Sequence, residues 1–348
     1  MKLYKKEEQL CFDDILMVPK PSVVESRKDV NLMMSIGVER KIDLYLPIIA
    51  SPMDTVCEQD MAMEISFHGG LGIIHRFMSN EKQTQQVNAV AMKKHLVGAA
   101  VGVSTPNNSI LKQVESLIIS GAVAILVDTA NGHNLLAVNT VREIRRAFPK
   151  IHIMAGNVST WDGFMQLALA GADSVRVGIG GGSMCSTRIV TGHGMPTLAS
   201  IMEIYEMLDR FDLPTSIIAD GGVRNSGDAI KAFSAGADAI MLGSALAGHK
   251  ESPGELINKD GVLYKHFRGM ASRQAQEDWH GKVSVVEGES TLIPFKGEVG
   301  KTLDEWRAGI QSGCSYSGVY SLEDLQLFSE YIKVTSNSLK ESIPHGKS

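Results

Sequence analysis

The chain has 348 residues, of which 44% are hydrophobic, 21% charged and 6% aromatic, with 34 glycines and 11 prolines. This is ordinary globular composition with a large core, and it excludes disordered, collagenous and coiled-coil classes. A net charge of −5 without a basic stripe removes the electrostatic basis for nucleic-acid binding, and no apolar run approaches the roughly 20 residues that span a bilayer.

The N-terminal MKLYKKEEQLCFDD has basic residues but no apolar h-region, so it is not read as a secretory signal, and a soluble, cytoplasmic protein is expected. Beyond it, short β-branched runs recur: LPIIA from Leu46, LGIIH from Leu71, VGAAVG from Val97, VAILVD from Val123, IHIMAGN from Ile151, SVRVGIG from Ser174, SIIAD from Ser216 and AIMLGS from Ala239. Their start-to-start spacings are 25, 26, 26, 28, 23, 42 and 23 residues. Continuous apolar runs of this length suit strands buried on both faces. Helical patterns lie between them, and three close on a glycine at Gly121, Gly171 and Gly236, the residue that best accepts a left-handed C-cap.

Eight strands at this spacing predict an α/β fold of the (β/α)8 TIM-barrel type, with an open doubly wound sheet as the runner-up. One barrel domain is expected over residues 1–348. The segment from about Glu251 to Gly300 has no strong period and reads as an excursion before a final helix near Thr302–Gly309. After about Val334 the chain becomes a polar C-terminal arm.

Active sites of such barrels lie at the C-terminal ends of the strands. The residues following each strand include Ser51 and Asp54, His75 and Arg76, Asp128 with Asn131 and His133, Asn157, residues 178–188, Asp220 with Gly221 and Gly222, and Gly243 with Ser244. The long gap after Ser174 holds GIGGGSMCSTR, whose glycines can offer amides to an anion or carbonyls to a cation. Cys185 leaves that loop beside Ser183, Ser186, Thr187 and Arg188. Nearby positive charge and backbone dipoles would lower its pKa and favour a thiolate nucleophile. Cys11, Cys57 and Cys314 read as buried small hydrophobes. The turns after strands seven and eight, DGGVRNSGD and GSALAG, suit a phosphomonoester on the amides of Gly221, Gly222, Gly243 and Ser244. Asp220 is placed to accept from ribose hydroxyls. The residues alone therefore reach a barrel enzyme with a cysteine nucleophile acting on a phosphorylated small molecule.

The motifs SPMDTV (51–56), GGLGIIHR (69–76), GIGGGSMCSTR (178–188), ADGGVRNSGDAIKAFSAGADAIMLGSALAG (219–248) and FRGMAS (267–272) resemble the IMP dehydrogenase/GMP reductase family from about Phe12 to Val334. The resemblance implies a barrel that forms homotetramers, uses a nicotinamide cofactor and binds potassium. It implies that Cys185 attacks purine C2, that Thr187 and Glu287 handle proton transfer, and that carbonyls of Gly180, Gly182 and Cys185 hold the cation. Ser51, Ser183, Asp220, Gly222, Gly243, Ser244 and Met270 would bind the GMP/IMP nucleotide. Asp128, Asn157, Arg76 and Arg176 would face the cofactor. Gly181 stands where the family usually has proline, and Ser186 where it usually has threonine. Glu287 is placed by its distance from the Pro294–Gly297 run, and Glu289 is the alternative.

The resemblance leaves two reactions. SPMDT, GGLGIIHR and LKESIPH resemble the dehydrogenase, which converts IMP to XMP with NAD. That reaction needs hydrolysis by an Arg-Tyr pair on a long flap. Here the flap, at about residues 270–297, is short and its Met270–Glu287 part contains no Arg-Tyr, and no regulatory (CBS) insertion separates strands two and three. Asn131, Phe267, the AGHKES run and IKVT resemble the reductase. A lost general base is worth about 10²–10⁴ in rate, so the favoured reading is NADPH-dependent reduction of GMP to IMP and ammonia. A catalytically silent nucleotide-binding paralogue is a third reading.

Overall fold

The computed structural model describes residues 4, 5, 7–103 and 109–344. Eight parallel strands close into a barrel: β1 (Ile48–Ala50), β2 (Leu71–Ile74), β3 (Val97–Val101), β4 (Ala124–Asp128), β5 (His152–Val158), β6 (Ser174–Val177), β7 (Ser216–Asp220) and β8 (Ala239–Leu242). Each is one of the expected runs, and β8 returns to β1 through Ile240 opposite Ile48. The fold is a (β/α)8 TIM barrel.

The strands are apolar throughout because both faces are covered. Ile49, Leu71, Ile73, Leu126, Met154, Ile218 and Met241 fill the barrel interior, while the other faces pack under the helices. The N-terminal lead contributes to the interior too. Its hairpin of Met34–Ile36 and Ile42–Leu44 buries Ile36 and Leu44 with that interior cluster. Arg40 ties it to Asp173 at 2.8 Å, and the Gly37 N–H donates to Ser216 Oγ.

Helix ends show how the sequence sets the register. Gly171 and Gly236 adopt φ of 109° and 110°, turning the chain into β6 and β8. The aspartate two residues later then staples the preceding strand. The Asp173 carboxylate accepts from Ile153 N–H and Asp238 from Ile217 N–H, both at 2.7 Å. No cation among the described residues stands beside Asp238, and burial pushes its pKa up to about 7.

The excursion after β8 is more ordered than its sequence suggested. It forms a three-stranded antiparallel sheet of Ile257–Lys259, Val262–Arg268 and Ser290–Pro294, with the helix Arg273–His280 between its second and third strands. The helix expected last, near Thr302–Gly309, covers Val299–Tyr316 and is not the final one, since Leu322–Phe328 follows it. A Cβ at Gly309 or Gly313 would lie 2.2 Å from Ser226 or 2.4 Å from Ile230, so these glycines permit close helix packing rather than ending the helix. Near the termini, Ile15–Met17 pairs with Tyr331–Lys333. The arm carries a short helix, Ser336–Glu341, and its last four residues lie outside the described ones. Cys57 and Cys314 are fully buried as expected, whereas Cys11 is only partly covered. No helix among the described residues is long and apolar enough to cross a membrane.

Candidate active site

A cavity of about 500 Å³ opens at the C-terminal mouth of the barrel. Ser51 after β1, Arg76 after β2, Asp128 on β4, Asn157 on β5, Arg176 on β6, Asp220 on β7 and Gly243 with Ser244 after β8 all line it. So do Gly180, Gly182, Ser183, Cys185 and Thr187 of the glycine loop, Gly222, and Met270 and Glu287 of the flap. The structure thus gathers every residue singled out for catalysis, nucleotide, cofactor or cation around one space. Asp54, His75, Asn131 and His133 do not line it. His75 is buried against Glu58, and the Asn131 side chain accepts from His133 N–H in a local turn.

The floor is a chain of ion pairs running across the strand ends. Arg176 Nη1 donates to Asp128 at 2.7 Å, and Arg176 Nη2 to Asp220 at 2.8 Å. Arg76 approaches the other oxygen of Asp128 at 3.3 Å and lies over the Phe77 ring at 4.5 Å. Burial works against the charge on Asp128, but Arg176 and Arg76 outweigh it and hold the carboxyl below its usual range. On Asp220, Arg176 and Asn157 all donate to Oδ2, and Asn157 also donates to the Gly178 carbonyl. Among the described residues, none donates to Oδ1.

The glycine loop sits tight against this floor. A Cβ at Gly178, where φ is 144°, would lie 1.9 Å from the Asp220 carbonyl oxygen, so only glycine fits. Beyond it, the Cys185 thiol donates to Thr187 Oγ1 at 3.2 Å, and that hydroxyl donates to Glu287 Oε2 at 2.9 Å. The backbone explains why Glu287, rather than Glu289, meets Thr187. Ser186 N–H donates to the Glu287 carbonyl and Glu289 N–H to the Met184 carbonyl, so Gly288 stands opposite Cys185 with Glu287 turned to Thr187. On its other side the same strand pairs with the outgoing flap, through Glu287 N–H to Ala271 and Gly269 N–H to Glu289. Three short segments therefore form a ladder with Glu287 in the middle.

The expected cation beside the thiol is elsewhere. Arg188 donates to the carbonyls of Ile179 and Met195, and its stem packs at Gly180 and Gly194, because those carbonyls lie within its reach in the turn. What Cys185 has instead is exposure and the Thr187–Glu287 chain. Gly221, Gly222, Gly243 and Ser244 flank the cavity where a phosphate was expected, and the Asn225 side chain caps the helix Ser226–Ser234. Sequence reasoning missed Gln276. It lines the cavity and joins the two sides of the flap, donating to the carbonyls of Ala271 and Val285 and accepting from Ser284 N–H. The polar run RQAQED gives no period that would single it out.

A family model described as the IMP dehydrogenase / GMP reductase domain matches residues 9–345. A GMP reductase of Vibrio campbellii is 38% identical over 336 residues, covering 95% of this chain and 96% of the relative. A GMP reductase of Onchocerca volvulus is 35% identical over 346 residues, covering 97% and 94%. An inosine-5′-monophosphate dehydrogenase of Borreliella burgdorferi is 33% identical over 401 aligned positions, covering 97% of both chains. Among solved structures, a cysteine-to-alanine variant of GMP reductase from Trypanosoma brucei in complex with guanosine 5′-monophosphate superposes with a TM-score of 0.90. It is 28% identical, with 98% of each chain covered.

Proposed function

The chain belongs to the IMP dehydrogenase/GMP reductase family of oxidoreductases, and from that premise we propose that it is a GMP reductase. The reaction is GMP + NADPH + 2H⁺ giving IMP + NH₄⁺ + NADP⁺. The observation that carries the choice is the clamp. Thr187 and Glu287 reach Cys185 as a proton-handling pair, and the flap from Met270 to Glu287 holds no Arg-Tyr pair to activate water. Length points the same way. The alignment with the Borreliella dehydrogenase runs over more positions than this chain has residues, whereas the reductase alignments do not.

In this reading the nucleotide phosphate lies on Ser183, Gly222, Gly243 and Ser244, with Ser51 and Met270 along the nucleotide. The ribose donates to Asp220 Oδ1. The Cys185 proton passes to Thr187 as the Thr187 proton passes to Glu287, and sulfur bonds to C2 of the purine as the C2=N3 π pair moves to N3, to return when ammonia leaves. Glu287 then protonates the 2-amino group, the C2–N bond breaks and ammonia leaves. NADPH, when bound, supplies the hydride that C2 accepts before the C2–S bond breaks and thiolate is restored. One wall of the cavity is assigned to the nicotinamide in this reading. Asp128 and Asn157 line it with Arg76, whose side chain keeps 30% exposure, while Arg176 supports that wall from below through its ion pairs.

Potassium would be held by the carbonyls of Gly180, Gly182 and Cys185. Gly182 O already accepts from Cys185 N–H at 3.1 Å, and its second lone pair is suited to a hard cation, which would stiffen the loop. A homotetramer accompanies this reading and is tested by sedimentation.

The deciding assay is spectrophotometric. GMP-dependent oxidation of NADPH is expected. IMP-dependent reduction of NAD, with no GMP-dependent reaction, would overturn the reductase in favour of the dehydrogenase that the Borreliella relative represents. Binding of GMP without either turnover would point to a silent paralogue.

A further inference from the structure

A second polar cluster, built on a buried ion pair with the more exposed Trp279 against it, lies beside the cavity, where the flap leaves the barrel. Asp54 and Arg268 are each 9% exposed. Arg268 Nε and Nη2 reach Asp54 Oδ2 at 3.1 and 2.6 Å, and Trp279 Nε1 donates to the same oxygen at 2.8 Å. Asp54 N–H points at the Met270 sulfur at 3.4 Å, and Arg268 N–H donates to Thr55 Oγ1. The Trp279 ring packs 6.4 Å from His75 and 6.5 Å from Phe77.

The placement of these three residues along the chain gives the cluster its meaning. Asp54 stands on a loop fixed to the barrel, where Ser51 N–H donates to Leu242 O and Val56 N–H to Met53 O. Arg268 immediately precedes the outgoing segment of the flap ladder, and Trp279 lies in the last turn of the helix that follows it. One barrel-anchored carboxylate therefore ties down both ends of the outgoing half of the flap. The returning segment that carries Glu287 is hydrogen-bonded along that half. Close fit makes the ladder sensitive to displacement, since a Cβ at Gly269 would lie 2.9 Å from the Met184 carbonyl.

We propose that Asp54, Arg268 and Trp279 form a positioning latch that holds the flap in the register presenting Glu287 to Thr187 and Cys185. The proposal rests on the reading of those three as the reaction centre. The latch residues do not touch the reacting atoms, and Ser51, three residues before Asp54, puts the nucleotide on the same framework. Breaking the latch loosens Glu287 and, of the nucleotide contacts, only Met270, while Ser51, Ser183, Asp220, Gly222, Gly243 and Ser244 stay in place, so it lowers kcat far more than nucleotide affinity.

The test uses the full-length protein with Trp279→Phe, which keeps a ring against His75 and Phe77 but loses the N–H to Asp54. Asp54→Asn is the stronger variant, and Trp279→Phe decides if that one does not fold. Trp279→Phe should lower kcat about 5- to 50-fold with KM for GMP within about twofold, because small misplacements of reacting groups cost this much. In a Glu287→Gln background the same change should cost nothing further, since both act through one group. Hydrogen exchange of the 284–289 backbone should quicken in Trp279→Phe. An equal loss of kcat in both backgrounds, or unchanged exchange, would overturn the latch. If the wild type instead reduces NAD with IMP, the reductase reading falls while the cycle is read on that reaction. The exchange measurement needs no turnover and decides the latch in every case.

Discussion

The floor of the cavity and the clamp above it hold polar groups by opposite means. On the floor, Arg176 lies between Asp128 and Asp220 with 8% of its side chain exposed, and each charge is fixed by another charge on the next strand or the next but one. In the clamp, Cys185 is exposed and the Thr187–Glu287 contact is a single hydrogen bond, with position supplied by a ladder of backbone bonds. A buried pair resists any rearrangement because moving one partner strands the other in a poor solvent. A hydroxyl–carboxylate contact at a solvated mouth has no such barrier, so protons can be handed along it. The floor gives stability and shape; the clamp is suited to chemistry.

Substitutions should therefore separate the two regions. The largest effect belongs to the clamp. Cys185→Ala should lower GMP-dependent NADPH oxidation by at least about 10³-fold while equilibrium dialysis still shows GMP binding. Full activity would refute the nucleophile. Glu287→Gln should cost about 10²–10⁴ in kcat, the usual worth of a general acid or base, with thermal stability nearly unchanged. A large fall in Tm would mean that the clamp is structural after all.

Arg176→Leu tests the floor. Removing the largely buried cation from between two partly buried carboxylates should cost up to about 3–5 kcal/mol in denaturant unfolding. The acid limb should also move to higher pH. Asp128, held low in the folded state, stabilises above its unfolded pKa and loses that contribution as pH falls through the lower folded value. Without Arg176 the loss begins at a less acidic pH. Unchanged stability would show that the floor network contributes no more than a surface pair.

The smallest effect comes from the same chemistry placed at the rim. Arg224 donates two bonds to Asp13, but the two side chains are 54% and 33% exposed. Arg224 holds the Asp13 carboxyl below its usual range. Asp13→Asn should cost only about 0.5–1 kcal/mol at neutral pH. The difference from wild type should vanish as pH falls through the lowered folded value, where Asp13 is protonated. A cost equal to that of Arg176→Leu would show that burial is not what separates the pairs.

Much of the architecture was legible because the barrel strands obey a strong local rule. A strand covered on both faces must be apolar at every position, and the glycine turns before β6 and β8 mark where each helix must stop. The flap was not legible for the converse reason. Its strand Val262–Arg268 has exposed residues over its first half and charged ones among its buried positions, so no alternation or run announces it. The helix Val299–Tyr316 was read too short because Gly309 looks like a terminator until the helix it presses against is in place.

The candidate site divides in the same way. The cysteine, the glycine loop and the phosphate turns are encoded in contiguous residues whose chemistry is visible in order along the chain. The sequence by itself determined the barrel, the nucleophile candidate and the family. The tertiary structure is what sets Glu287 apart from Glu289: two residues apart they share a face of an extended segment, and only the pairing of Gly288 with Cys185 puts the Glu287 carboxylate against Thr187. It also moved Arg188 away from the thiol and brought Arg176 between Asp128 and Asp220, 48 and 44 residues distant in the chain. Contacts of that separation are set by barrel closure, which no local pattern records.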